Sequence, residues 1–413
     1  MKVLVAIDSF KGSLSSLELG EAIEEGIKKV YIDAEVTKIP IADGGEGTVV
    51  SLVEGTNGEF VSLKVNNPLM EKIEARYGIM GDKKTAVIEM AEASGLTLVP
   101  IQKRNPMKTT TYGTGELIKN AIEKGCREFI IGIGGSATND AGLGMLQALG
   151  YKFLDKDKVE LGFGGEILSK VKYIDSSEAI SELKKCKFLI ACDVDNTFYG
   201  ENGAAEIYSR QKGATEEMVK KLDKGLKHLA EVIKKEIKID ISNLSGAGAA
   251  GGLGGGLVAF LNGKLSPGIE IVLEKVGIEN KIQDVDFVIT GEGRLDNQTA
   301  MGKAPIGVAK IAKKFDVPVI AIAGGVTEDA WKTHEKGIDS FFSVINYPIT
   351  LKEAMRKENA HKFVKSNIEE IFRLIKVCEK KNFYKNILKN KTKKFSTKEL
   401  FDLIIFTLED KKN

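Results

Sequence analysis

The chain has 413 residues, with 60 basic against 58 acidic, 43% hydrophobic and 29% charged. That length exceeds one ordinary core and predicts two domains, and the near-neutral balance argues against nucleic acid or an acidic membrane face as a partner. Four scattered cysteines (Cys126, Cys186, Cys192, Cys378) form no C-x-x-C pair and no metal spacing, so they read as reduced thiols of a cytoplasmic protein.

In chain order, residues 3–7 are an apolar strand that follows Met1 directly, which leaves no signal peptide expected. Residues 15–30 have helical spacing (Leu19, Ile23, Ile27, Val30), 35–40 make a second strand, and 47–53 begin another helix. Residues 73–77 and 85–89 alternate around Gly81-Asp82, the pattern of an antiparallel hairpin. Isolated strands follow at 129–131 and 188–191, among helices and glycine loops. The uncharged stretch 244–261 has glycines at the spacing of packed membrane helices, but is too rich in Gly and Ala to insert well. Strand and helix then alternate again, with strands at 286–290, 317–323 and 341–345 and a helix near 304–314. This grammar predicts an α/β protein: a doubly wound parallel-sheet domain built from residues 1–65 and 284–376, interrupted by a second α/β domain at 66–283. Residues 377–413 form a lysine-rich extension whose apolar spacing (Leu400, Leu403, Ile404, Leu408) predicts a solvated helix with no chemistry.

The most informative segment is 132–144, G-I-G-G-S-A-T-N-D-A-G-L-G, between a strand and a helical pattern. A strand, a glycine turn and a helix N-terminus aim backbone N–H groups at an anion. Ser136, Thr138 and Asn139 add donors there, and Asp140 adds a metal-ligand type. The strand ends carry more: Asp8-Ser9-Phe10-Lys11 after the first, Asp43-Gly44-Gly45-Glu46 after the second, and Gly291-Glu292-Gly293-Arg294-Leu295-Asp296 late in the chain. Ligands of open parallel sheets lie beyond the carboxyl ends of the strands. Three such ends, each delivering an acid with a donor or a cation, predict a site where carboxylates hold Mg²⁺ and Lys11, Arg294 and Lys303 neutralise phosphate or a carboxylate.

The run 109–116, which contains Thr114, opens a helix either as an anion site or as an ordinary cap. Asp193 follows a strand as a base, a metal ligand or a turn cap. The glycines of 246–256 wrap a nucleotide or let a helix pack closely, the latter favoured for the second half. Three isolated histidines argue against histidine-based triads and zinc sites, and no P-loop is present, because Gly302-Lys303 is followed by Ala304. The competing pattern is Gly132-x-Gly134-x-x-Ala137 with Asp155 about twenty residues on, a loose dinucleotide fingerprint. It predicts an NAD(P)-dependent oxidoreductase of a small hydroxy acid.

The motifs D-S-F-K-G-S at 8–13, A-D-G-G-E-G-T at 42–48, T-Y-G-T-G-E at 111–116, the 132–144 run and G-E-G-R-L-D-N-Q-T at 291–299 strongly resemble the bacterial glycerate kinase family, class I. The resemblance is continuous to about residue 375. It departs where Asn196-Thr197-Phe198 stands in place of the family's N-P-L. It implies a flavodoxin-like domain with a second domain inserted, and ATP-dependent phosphorylation of D-glycerate, most readily at the 2-hydroxyl.

On that basis ATP phosphates are expected on Gly134, Gly135, Ser136, Ala137, Thr138 and Asn139, with Thr114 nearby and Mg²⁺ on Asp193 or Asp140. Glycerate is expected beside Asp8, Ser9, Lys11, Arg294 and Asp296. Asp43, Asp193, Lys11 and Glu292 are the expected catalytic groups, with Asp43 the first choice to orient or deprotonate the hydroxyl. Glycerate is the expected partner, without nucleic acid or membrane; a homodimer is compatible with this.

Overall fold

The computed structural model describes residues 1–45 and 47–389, with side chains through Lys381; Glu46 and the predicted spacing at Leu400, Leu403, Ile404 and Leu408 lie outside the described residues. The described strands, in chain order, are β1 (Lys2–Ile7), β2 (Glu35–Pro40), β3 (Glu59–Asn66), β4 (Lys72–Ile79), β5 (Thr85–Glu89), β6 (Glu128–Gly132), β7 (Lys152–Leu154), β8 (Tyr173–Asp175), β9 (Lys187–Ala191), β10 (Lys264–Ser266), β11 (Phe287–Leu295), β12 (Val319–Val326) and β13 (Ser340–Ser343).

The first sheet has the order β13-β12-β11-β1-β2, and every pair in it is parallel. Counted within the sheet this is 2-1-3-4-5, one of the two common doubly wound orders, with the switch of direction between β1 and β11. The period of two in β1 explains how both faces are covered. Val3, Val5 and Ile7 pack with Leu19, Ile23 and Ile27 of helix Ser16–Lys28 and with Val364, Ile368 and Phe372 of helix Lys357–Lys389. Leu4 and Ala6 pack on the opposite side with Leu52 of helix Thr48–Gly55 and Val308 of helix Ala304–Lys313.

The second sheet has the order β10-β9-β6-β5-β4-β3. It is parallel from β10 to β5 and antiparallel across β5, β4 and β3. The expected hairpin is thus β4–β5. The expected domain boundary at 65/66 falls inside β3, whose full length pairs with β4, so the change of sheet comes before Glu59. The alternation of residues 59–66 marks a strand but not the sheet it joins, which is why the sequence placed it too late.

One cluster is shared by both sheets. Leu4 of the first and Val87, Ile130 and Ala191 of the second enclose Leu52 and, from helix Gly268–Lys275, Ile271 and Val272. Leu52 and Val272 are fully buried there, each stabilising the layer by about 2 kcal/mol, so separating the sheets exposes them. The far face of the second sheet (Ile88, Ile131, Ile190) packs on Leu117, Leu146, Leu226 and Leu257. The glycine-rich stretch lies in this core as the helical segment Ala249–Leu261, kinked where Ala250, Gly251 and Gly252 take left-handed backbone, and no helix among the described residues is long and apolar enough to cross a membrane.

Candidate functional site

The carboxyl ends of the two sheets meet. From the first, β1 delivers Asp8 and β2 delivers Asp43, while Glu292 lies within the extended β11. From the second, β6 delivers the turn beginning at Gly132, and β9 delivers Asp193. The contact between them is backbone on backbone. A Cβ on Gly268 would lie 2.3 Å from Cα of Gly44 and 2.4 Å from the Asp43 carbonyl oxygen, so neither loop tolerates a side chain at this crossing. Beside it, the Gly268 N–H donates to Asp193 Oδ1 at 3.0 Å.

The acids at this meeting point feel one another. Asp8 is 3% exposed. Burial first, and then the charge of Asp43, push its carboxyl up to about 7, against Lys11, the Ser9 N–H and with a smaller push from Glu292. That N–H donates to Asp8 Oδ1 at 2.7 Å. Glu292 is also buried and raised, chiefly by burial, although Thr299 Oγ1 donates to its Oε1 at 2.5 Å and Lys303 Nζ lies 4.0 Å from its Oε2. Asp193 is raised by loss of hydration among the surrounding loops and then by Asp43, with the Gly268 N–H opposing. Asp43 is half-buried and influences all three.

Next to Asp193 a cavity of about 400 Å³ is lined by Gly44, Gly45, Gly134, Gly135, Ser136 and Lys212, among others. Here the expected nucleotide residues divide. Gly134 and Gly135 are exposed and Ser136 lines the cavity. Ala137 is buried, and Thr138 and Asn139 are fully buried, with Thr138 Oγ1 and both polar atoms of the Asn139 side chain unpartnered among the described residues. Thr114 is fully buried too, its hydroxyl 2.8 Å from that of Ser94. These side chains face the interior, and of the turn only Ile133–Ser136 line the cavity.

Asp140 is corrected as a metal ligand. It is fully buried, and its Oδ2 accepts from the Thr111 N–H at 2.8 Å and the Thr111 hydroxyl at 2.9 Å. The Gly144 N–H donates to the same oxygen at 3.3 Å, and the Gly142 N–H to Oδ1 at 3.2 Å. Fully buried and held by backbone and hydroxyl donors, Asp140 fastens the turn to helix Tyr112–Glu123. The anion at that helix N-terminus is the protein's own carboxylate. Gly251 and Gly256 support the turn from behind, since a Cβ on them would lie 2.2 Å from the Thr138 carbonyl oxygen and 2.3 Å from that of Ala141. The second half of the glycine stretch therefore serves close packing.

Asp296 is likewise a cap. Its Oδ1 accepts from the N–H groups of Gln298 at 2.9 Å and Thr299 at 3.3 Å, and its Oδ2 lies 3.7 Å from Nε of the exposed Arg294. Lys11 is exposed and Ser9 half-buried, both on the Asp8 loop. Lys212 escaped the sequence reading: within S-R-Q-K-G it looks like any polar turn, and only the fold turns it inward.

The dinucleotide pattern does not hold. Asp155 accepts from its own turn, from the N–H groups of Asp157 and Val159, both at 2.9 Å. It follows β7, which pairs antiparallel with β8 in a separate two-stranded sheet. A ribose-binding acid would stand at the end of a parallel neighbour of β6.

A family model described as the glycerate kinase family matches residues 3–376. A Bacillus subtilis (strain 168) protein named glycerate kinase is 50% identical over 379 residues, covering 92% of this chain and 99% of that protein. An Escherichia coli (strain K12) protein named glycerate 2-kinase is 52% identical over 356 residues, or 86% and 93% of the two chains. The crystal structure of a Salmonella typhimurium LT2 protein, provisionally named glycerate kinase 2, is similar with a TM-score of 0.86 at 45% identity, covering 92% of this chain and 99% of that one.

Proposed function

This chain belongs to the glycerate kinase family, and on that footing we propose that it transfers the terminal phosphate of ATP to the 2-hydroxyl of D-glycerate. The observation that carries the reading is the meeting of the sheet ends. The acid group Asp8, Asp43 and Glu292 stands on one side, and a cavity bounded by Gly134–Ser136 and Asp193 on the other. Phosphoryl transfer asks for positioning and charge neutralisation more than covalent help, and two loop sets brought together by backbone contact supply positioning.

In this reading the nucleotide phosphates lie on the Gly134–Ser136 turn. Glycerate lies over the ends of β1 and β11, its carboxylate paired with Lys11 or Arg294. Asp43, in electrostatic reach of Asp8, Glu292 and Asp193, orients the attacking hydroxyl. Asp8 accepts its proton, since a carboxyl held near 7 is better matched to a general base than an ordinary one. Asp193 keeps one oxygen free of the Gly268 N–H and offers the hard donor that suits Mg²⁺, an ion that takes few protein carboxylates when substrate phosphates complete its shell. Bound there, the ion would supply neutralisation of phosphate charge.

The direct test is coupled ADP release across small hydroxy acids, with phosphorus NMR of the product. Glycerate-dependent ADP release yielding 2-phosphoglycerate is expected. A 3-phosphate product would move the acceptor to the other hydroxyl, and no glycerate-dependent release would remove the kinase reading. Asp43→Asn is expected to lower turnover by about 10² or more with nucleotide affinity unchanged by calorimetry. Because the charge of Asp43 helps raise Asp8, the variant's acid limb should also move to lower pH. An unmoved limb with near-normal turnover would take Asp43 out of the site.

A further inference from the structure

Lys212 ends the short 3₁₀ turn Arg210–Lys212 and is 2% exposed. Its Nζ donates to Ser136 Oγ at 2.7 Å and to the Thr138 carbonyl oxygen at 2.6 Å. An ammonium has three donors, so one is left over, and Lys212 forms no ion pair among the described residues. The charge of Asp140 reaches it, but the Asp140 oxygens are already engaged by Thr111, Gly142 and Gly144. A buried cation without a close counter-ion is costly to keep. Burial accordingly pulls the Lys212 ammonium down to about 7. The expense is incurred at the wall of the cavity that Lys212 lines together with Gly134, Gly135 and Ser136.

We propose that Lys212 is an anion-binding residue of the nucleotide subsite, its ammonium the counter-charge for a polyphosphate lying on Gly134–Ser136. This deepens, and rests on, the nucleotide-binding part of the function proposed above. The two hydrogen bonds to the turn hold the ammonium in place from beneath, and the arriving phosphates complete its shell. A lysine that only braced the turn would act differently: its loss would weaken the free protein and disturb every ligand alike.

The test compares wild type, Lys212→Met and Lys212→Arg by calorimetry with ATP, inorganic tripolyphosphate and adenosine, and by the thermal midpoint of each free protein. In Lys212→Met the affinities for ATP and tripolyphosphate are expected to fall about thirtyfold or more. Adenosine affinity should stay unchanged and the free protein's midpoint should be equal or higher, while Lys212→Arg retains most of the binding. Unchanged tripolyphosphate affinity in Lys212→Met, an equal loss for adenosine, or no binding of tripolyphosphate and ATP by the wild type would each overturn the assignment. Should Lys212→Met fail to fold, the side-chain nitrogen resonance of Lys212 in lysine-labelled wild type, assigned with Lys212→Arg, is expected to shift on adding tripolyphosphate; a stationary resonance overturns the proposal. Failure of the kinase reading would appear separately, as absent glycerate-dependent ADP release in a wild type that still binds tripolyphosphate.

Discussion

Asp8→Asn is expected to remove most turnover and, at pH 8, to make the protein more stable. Both effects come from the same burial. As proton acceptor, Asp8 must be ionised, so wild-type kcat/KM should fall as the pH drops through about 7. Losing a positioned base costs about 10²–10⁴ in rate. For stability the sign is fixed by linkage: the folded carboxyl binds its proton near 7 and the unfolded one near its ordinary 3.8. Between these values the native state holds more protons, so stability declines as the pH rises from about 4 to 7, and the penalty is complete above 7. At roughly 1.4 kcal/mol per pH unit the penalty is capped near 4 kcal/mol, and about 1–4 kcal/mol should return in the Asn variant at pH 8. The gain should fade toward pH 4. Thermal unfolding across that range with parallel kinetics reads both effects; a variant that is less stable at pH 8, or that turns over normally, refutes the role.

Gly268→Ala is expected to damage activity through geometry alone. Its Cβ would meet Cα and N of Gly44 and the carbonyl oxygen of Asp43, at 2.3, 2.8 and 2.4 Å. All three are backbone atoms with no side-chain freedom to yield, so one loop must move. Overpacking of this kind costs about 1–3 kcal/mol, and a displacement near 1 Å at a reacting group costs about 10² in rate. The shift also carries the Gly268 N–H away from Asp193, whose carboxyl it holds down. A lower thermal midpoint is expected, with a large loss of turnover and a smaller change in tripolyphosphate affinity, because the clash falls on Gly44 and Asp43 rather than on Gly134–Ser136. Near-normal turnover would show that this crossing does not set the geometry of the acids.

The two variants divide along what the sequence could and could not disclose. The grouping of Asp8, Asp43 and Glu292 was legible because each stands at or near the carboxyl end of an apolar strand, and in a parallel sheet those ends lie along one edge. Thr114, Thr138, Asn139, Asp140 and Asp296 are of the right chemical types in the right motifs, yet serve the interior or the caps. Residue type cannot say whether a hydroxyl or carboxylate faces a ligand or a backbone N–H, since both partners reward the same atoms. Lys212 carried no signal, because a lysine in a polar turn is ordinarily solvated.

By itself the sequence determined the alternation of strand and helix, the parallel sheets that follow from it, and the family, since period and motif are written locally along the chain. Only the tertiary structure decided that β3 belongs to the second sheet, that Gly44 and Gly268 touch, and that Lys212 lies buried against Ser136. Each of these depends on atoms far apart in sequence, such as positions 44 and 268 or 136 and 212. Such pairs are fixed by which surfaces exclude water and by how closely backbones approach, and no local pattern encodes either.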